Sequence, residues 1–74
     1  MKTYNGHKNY NHWNVSLWIN NDEGLYSWIR ELKREVGADR AARLFLDAMR
    51  EEGGKTPDGA PYSLSAIRAA MVGM

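Results

Sequence analysis

The sequence predicts an all-α fold, a compact bundle of about four short helices with an irregular N-terminal arm. Three observations lead there. Leu25, Trp28, Ile29, Leu32 and Val36 recur at i, i+3, i+4, i+7 and i+11, a continuous helical stripe. Gly37, Gly53-Gly54 and Gly73 follow apolar segments where helix stops belong. No second strand is evident to pair with the one stretch that could be extended. With 74 residues the chain is read as a single small helical domain, 1–74.

Residues 1–10 show no period and carry Asn5-Gly6, a turn signal, so they are expected to form the arm. The first helix is expected near 12–20, capped by Asn11. Trp13 and Leu17, Asn14 and Trp18, and Val15 and Ile19 are i, i+4 pairs, so apolar groups wrap much of it. Such a helix is usually central and buried. A strand is the competing reading, because Trp13, Val15 and Leu17 also alternate.

The second helix is expected over 22–36. Asp22 and Glu23 suit its positive N-terminal end, and Lys33 and Arg34 its negative end. Gly37 is placed as a left-handed C-terminal residue. A third helix, 39–52, would begin at the cap Asp39 and bury Ala41, Leu44, Phe45 and Ala48. Pro57-Asp58-Gly59 is a turn signature: proline sets φ, aspartate bonds locally and glycine tolerates positive φ. Ser63 caps a last helix, 64–72, with Leu64, Ile67 and Met71 inward. The expected core is Trp13, Leu17, Trp18, Leu25, Trp28, Ile29, Leu32, Leu44, Phe45 and Ile67.

Composition narrows the function classes. Cysteine is absent, so there is no disulfide, no thiolate nucleophile and no cysteine zinc site. The net charge of +1 speaks against an acidic nucleic-acid mimic and against a strongly basic coat. No apolar run approaches the ~20 residues of a membrane span. No apolar leader segment opens the chain, so a cytoplasmic location is the expectation. Charge is uneven, however. Residues 1–21 hold all six Asn and both His with no acid, while eight of the nine acids lie in 22–52.

Chemistry-bearing patterns are few. His7 and His12 are spaced by five, off any single helical face, and would need carboxylates from elsewhere to hold a metal. No serine has a His–acid partner at a suggestive spacing. Glu31 and Glu35, flanked by Arg30 and Arg34, read as a solvated charged face. Gly53-Gly54-Lys55-Thr56 resembles the tail of a phosphate loop, but no glycine stands where the first should be. No catalytic residue, cofactor or metal is therefore assigned, and the chain is read as a non-enzyme. Asn14 has two open readings: a structural hydrogen bond, for instance to the arm's backbone, or part of an exposed surface with Tyr4, Tyr10, His12 and Trp18.

The stretch from Tyr4 to Tyr26 carries the pattern Y-N-G-x-x-N-x-x-x-W-N-V-x-L-W-I-x-N-D-x-x-L-Y. It resembles a family of small phage, prophage and bacterial proteins of unknown function. The resemblance covers about a third of the chain and implies a mobile-element origin, but it brings no site residues. By analogy of size and origin it implies a small non-enzymatic protein that binds and inhibits a host defence complex, in the manner of anti-CRISPR proteins. The partner would then be a host protein complex such as a CRISPR-Cas effector, met in the bacterial cytoplasm.

The expected contact residues are Tyr4, His7, Lys8, Tyr10 and His12, with Arg30, Arg34 and Arg43 as a second group. The alternative is a small DNA-binding regulator using the C-terminal helices, with Arg68 and Lys55 as its cations. Nucleic acid is thus the second class of partner, no membrane partner is expected, and a homodimer remains open.

Overall fold

In the computed structural model, which describes residues 6–72 and 74, four helices follow one another: α1 Tyr10–Asn21, α2 Glu23–Val36, α3 Ala38–Glu51 and α4 Leu64–Ala70. The stretch with two readings is helix. Single residues join the first three helices. Asp22 closes α1 by donating its backbone N–H to the Trp18 carbonyl. It opens α2 by accepting from the Leu25 amide through Oδ1 at 3.0 Å. Gly37 does the same between α2 and α3: its N–H reaches the Lys33 carbonyl and its carbonyl accepts from Ala41.

The ends differ from expectation in small, explicable ways. Asn9, not Asn11, caps α1, its Oδ1 accepting from the His12 amide at 3.0 Å, so Tyr10 leaves the arm and joins the helix. Asp39 does not cap α3. The helix starts one residue earlier at Ala38, and Gly37 in front of it has no side chain to offer. Gly37 itself, at φ +87° and ψ 164°, is extended and not left-handed helical, because it must end one helix and enter the next at once. α4 stops at Ala70, two residues short of Val72. Ser63 caps it as expected, Oγ accepting from Ala66 at 3.1 Å.

The core lies where the four helices meet. Val15 and Ile19 of α1, Ile29 of α2, Ala41, Ala42, Phe45 and Leu46 of α3, and Ala66, Ile67 and Ala70 of α4 are all buried. Alanines on α3 and α4 let those backbones come close, leaving the volume to Phe45 and the isoleucines. α1 packs on α4 and α2, and α3 packs on α2 and α4. The radius of gyration, 11.4 Å, matches the ~11 Å of a native chain this long.

The expected core is corrected at two positions. Trp28 and Leu44 are exposed, at 38% and 43%. They flank the α2–α3 contact and do not fill it, while Phe45 takes the central place with its ring 5.2 Å from that of Trp28. Trp13, Leu17, Trp18, Leu25 and Leu32 are half-buried; Ile29, Phe45 and Ile67 are fully buried. The tryptophans therefore coat the core and do not make its centre.

Candidate partner-binding surface

The polar groups of α1 are committed inward before any surface is built. From its spacing alone Asn14 could be structural or functional. It is completely buried, and both ends of its amide are bonded to the loop that precedes α4. Its Nδ2 donates to Asp58 Oδ2 at 2.9 Å. Its Oδ1 accepts from the Thr56 hydroxyl at 2.5 Å. One turn on, Trp18 Nε1 donates to the same Asp58 oxygen at 3.0 Å. Among the described residues the arm's backbone takes no part in this.

The Pro57-Asp58-Gly59 signature explains how the loop meets these donors. Gly59 N–H closes the turn onto the Thr56 carbonyl at 2.8 Å, with Gly59 at φ +89°. Thr56 N–H donates to the Ala60 carbonyl at 2.8 Å, and Thr56 Oγ1 accepts from Ala60 N–H at 3.1 Å. Lys55 bridges Pro61 in antiparallel fashion. The result is a short stiff lobe whose Asp58 faces the Asn14–Trp18 side of α1. Hydrogen bonds from Asn14, and next from Trp18, hold the Asp58 carboxyl below the usual carboxylate range, against the opposing effect of desolvation.

The opposite edge of α1 meets α4. His12 Nε2 and the Ser65 hydroxyl share a hydrogen bond of 2.9 Å. Burial, aided by the charges of Lys8 and His7, lowers the His12 pKa from its ordinary value. Among the described residues no buried side-chain nitrogen or oxygen lacks a partner. No group of three or more His, Asp or Glu side chains there could hold a metal ion, and no helix is long and apolar enough to cross a membrane.

Three open depressions, neighbours sharing a lining residue, run along α1 and α2 as a trough. The first, about 470 Å³, lies between α1 and the end of α4 and is lined by His7, Lys8, His12, Ser16 and Asn20 among others. Asn20 is shared with the second, of about 420 Å³, which continues over Glu23, Tyr26 and Ser27. Ser27 is shared with the third, about 630 Å³, over Arg30, Glu31, Lys33, Arg34 and Met74. Lys33 Nζ donates to the Met74 carbonyl at 2.6 Å, tying the chain's last residue to this wall. Arg34 is paired with Glu31, which leaves Arg30 as a cation outside the two ion pairs formed among the described residues.

The trough brings together His7, Lys8, His12, Arg30 and Arg34 from the expected contact residues. Arg43 is exposed on α3 and lines none of the three depressions. Tyr10 is exposed and tilted against Trp13. Tyr4 lies outside the described residues. Sequence reasoning missed Ser16, Asn20, Tyr26, Ser27 and Lys33. The i, i+4, i+8 run of His12, Ser16 and Asn20 was the available signal, a polar stripe on an otherwise apolar helix.

Several residues that carry the sequence resemblance are thus structural. Asn9 and Asp22 cap helices, and Asn14 and Trp18 hold the lobe. No curated protein and no solved structure matches the chain. Caps, clamp and trough are assembled from residues spread from Asn9 to Met74, and a single family model likewise spans residues 1–74: the chain belongs to a family of unknown function (DUF7249).

Proposed function

We propose that the chain is a small non-enzymatic protein of a phage or other mobile element, which binds a host defence complex, a CRISPR-Cas effector foremost, and blocks it. The observation that carries this reading is the trough. It gathers residues from the N-terminal segment, α1, α2 and the C-terminus into one mixed polar and apolar surface, with Lys8, Arg30, Lys33 and Arg34 set against Glu23 and Glu31. Mixed surfaces of this type suit protein recognition, with Tyr and Arg as the usual energetic anchors. The reading is also supported by the use made of His12, Asp58 and Asn14, whose chemistry is spent on holding α1, the lobe and α4 together. The resemblance of residues 4–26 supports the mobile-element origin and, with it, action in the host cytoplasm.

The DNA-binding reading has less support. Arg68, the one cation of α4, is paired with Asp39 of α3, and α4 is only seven residues long. Co-purification from a host with active defence systems, paired with phage plating on that host, tests the proposal. A defence complex should be retained and phage growth restored. No retained complex together with no restored growth removes it.

A further inference from the structure

Three of the five exposed large hydrophobic residues among those described, Trp28, Val36 and Leu44, lie on one helical hairpin. Half-buried Leu32 and Ala48 continue the same stripes at helical spacing. The Trp28 ring rests against Phe45, so the apolar positions border one seam between α2 and α3. Arg30 and Arg34 of the trough are on the other side of α2, about 160° around the helix from Trp28 for Arg30. The seam therefore faces away from Arg30 and Arg34, and it meets the trough at Glu31, which lines the third depression.

Its borders carry charge in a repeated arrangement. On α2, Glu31 and Glu35 stand three and seven residues after Trp28. On α3, Asp47 and Glu51 stand three and seven residues after Leu44. All four are exposed. Glu31 is paired with Arg34, whereas Glu35, Asp47 and Glu51 enter neither of the ion pairs formed among the described residues. Arg40, one turn before Leu44, and Arg43, one turn before Asp47, are the cations at this edge. An apolar seam between acidic borders repels an anionic lipid surface or a phosphodiester backbone and attracts a cationic partner.

We propose that the α2–α3 seam is a second contact surface, which receives an amphipathic helix of a partner protein whose apolar stripe is flanked by lysine or arginine. Helices laid in grooves use apolar anchors at i, i+3, i+4 and i+7, and the seam meets them with rows at i, i+4 steps, Trp28, Leu32 and Val36 on α2 and Leu44 and Ala48 on α3. α2 and α3 are 14 residues each, about 21 Å, enough for roughly four turns of an incoming helix. This does not depend on the trough or on the defence-inhibitor reading.

The test uses the whole chain and two labelled synthetic helices of about 14 residues. Both carry leucine on one face; one is flanked by lysine, the other by glutamate. Fluorescence anisotropy should show the lysine helix binding about tenfold more tightly. Leu44→Asn should weaken it about tenfold, with an unchanged far-ultraviolet dichroism spectrum. Glu35→Lys combined with Asp47→Lys should reverse the preference, and Arg30→Glu should leave it within about twofold. Equal binding of both helices, binding of neither, or an unreversed preference overturns the proposal. So does light scattering that shows a dimer of this chain dissolved by Leu44→Asn, because the seam would then belong to a second copy.

Discussion

Asn14 and Asp58, 44 positions apart, are joined by a hydrogen bond of 2.9 Å between a wholly buried amide and a carboxylate at a turn tip. That bond, with its companions from Trp18 and Thr56, is how the first helix and the loop before the last helix become one body. Asn14→Ala removes donor and acceptor together and leaves a small void. A loss of about 2–4 kcal/mol is expected, read as a lower urea midpoint at an unchanged m-value. Trp18→Phe, which loses the indole donor and part of the ring volume, should cost about 1–2 kcal/mol.

Acid should unfold the protein in two steps of different origin. His12 has a lowered pKa in the fold, so its contribution is fully present above its unfolded value of 6.5 and declines as pH falls below that. Asp58 is also lowered, so its contribution is present above its unfolded value of 3.8 and is lost as pH falls through the folded value. Thermal melts from pH 7.5 to 3 should show both. His12→Gln should flatten the upper part of the curve, and Asp58→Asn the lower.

Gly37 holds φ +87° and ψ 164°, a region open to glycine alone. A Cβ there would meet nothing within 4 Å, so the cost of Gly37→Ala is backbone strain and not a clash. About 1–3 kcal/mol is expected, seen as a melting temperature lower by roughly 4–8 °C per kcal/mol.

Neighbours Leu44 and Phe45 should respond very differently to truncation. Phe45→Ala empties the place between Trp28 and Tyr62, whose rings lie 5.2 and 5.9 Å from it, and should cost about 3–5 kcal/mol. Leu44→Ala should cost under about 1 kcal/mol, since Leu44 is 43% exposed. Chemical denaturation of the two variants side by side checks this.

Within the trough, Arg30→Glu combined with Arg34→Glu should abolish co-purification of the host complex while leaving the melting temperature within a few degrees. Arg43→Glu, outside the trough, should leave capture intact. Equal loss with both would place the contact elsewhere.

Local signals carried most of the fold. Ser63, Asp22 and the glycines act within a few residues, so the element boundaries were readable to within two residues. Trp28 and Leu44 show where local signals end. Helical spacing says that both belong to the apolar stripe, but only the packing of Phe45 determines which member of the stripe is covered. Asn14 shows the same limit for the site. Its apolar neighbours left burial and exposure both open, because its partners, Thr56 and Asp58, are more than forty residues away and left no mark in the periodicity. Lys8, Arg30 and Arg34 were legible as exposed cations. Their gathering in one trough depends on how α1 packs against α2 and α4, which no local pattern encodes.

The Lys33–Met74 bond has a practical side. Polypeptide fused after Met74 would start on the wall of the 630 Å³ depression, beside Arg30 and Arg34. Gly6, His7 and Lys8 border the other end of the trough. A bait tagged after Met74 would crowd its own contact surface and yield a false negative. Lys55, exposed and outside all three depressions, is the better anchorage: a biotin there leaves both mouths of the trough open to the host complex.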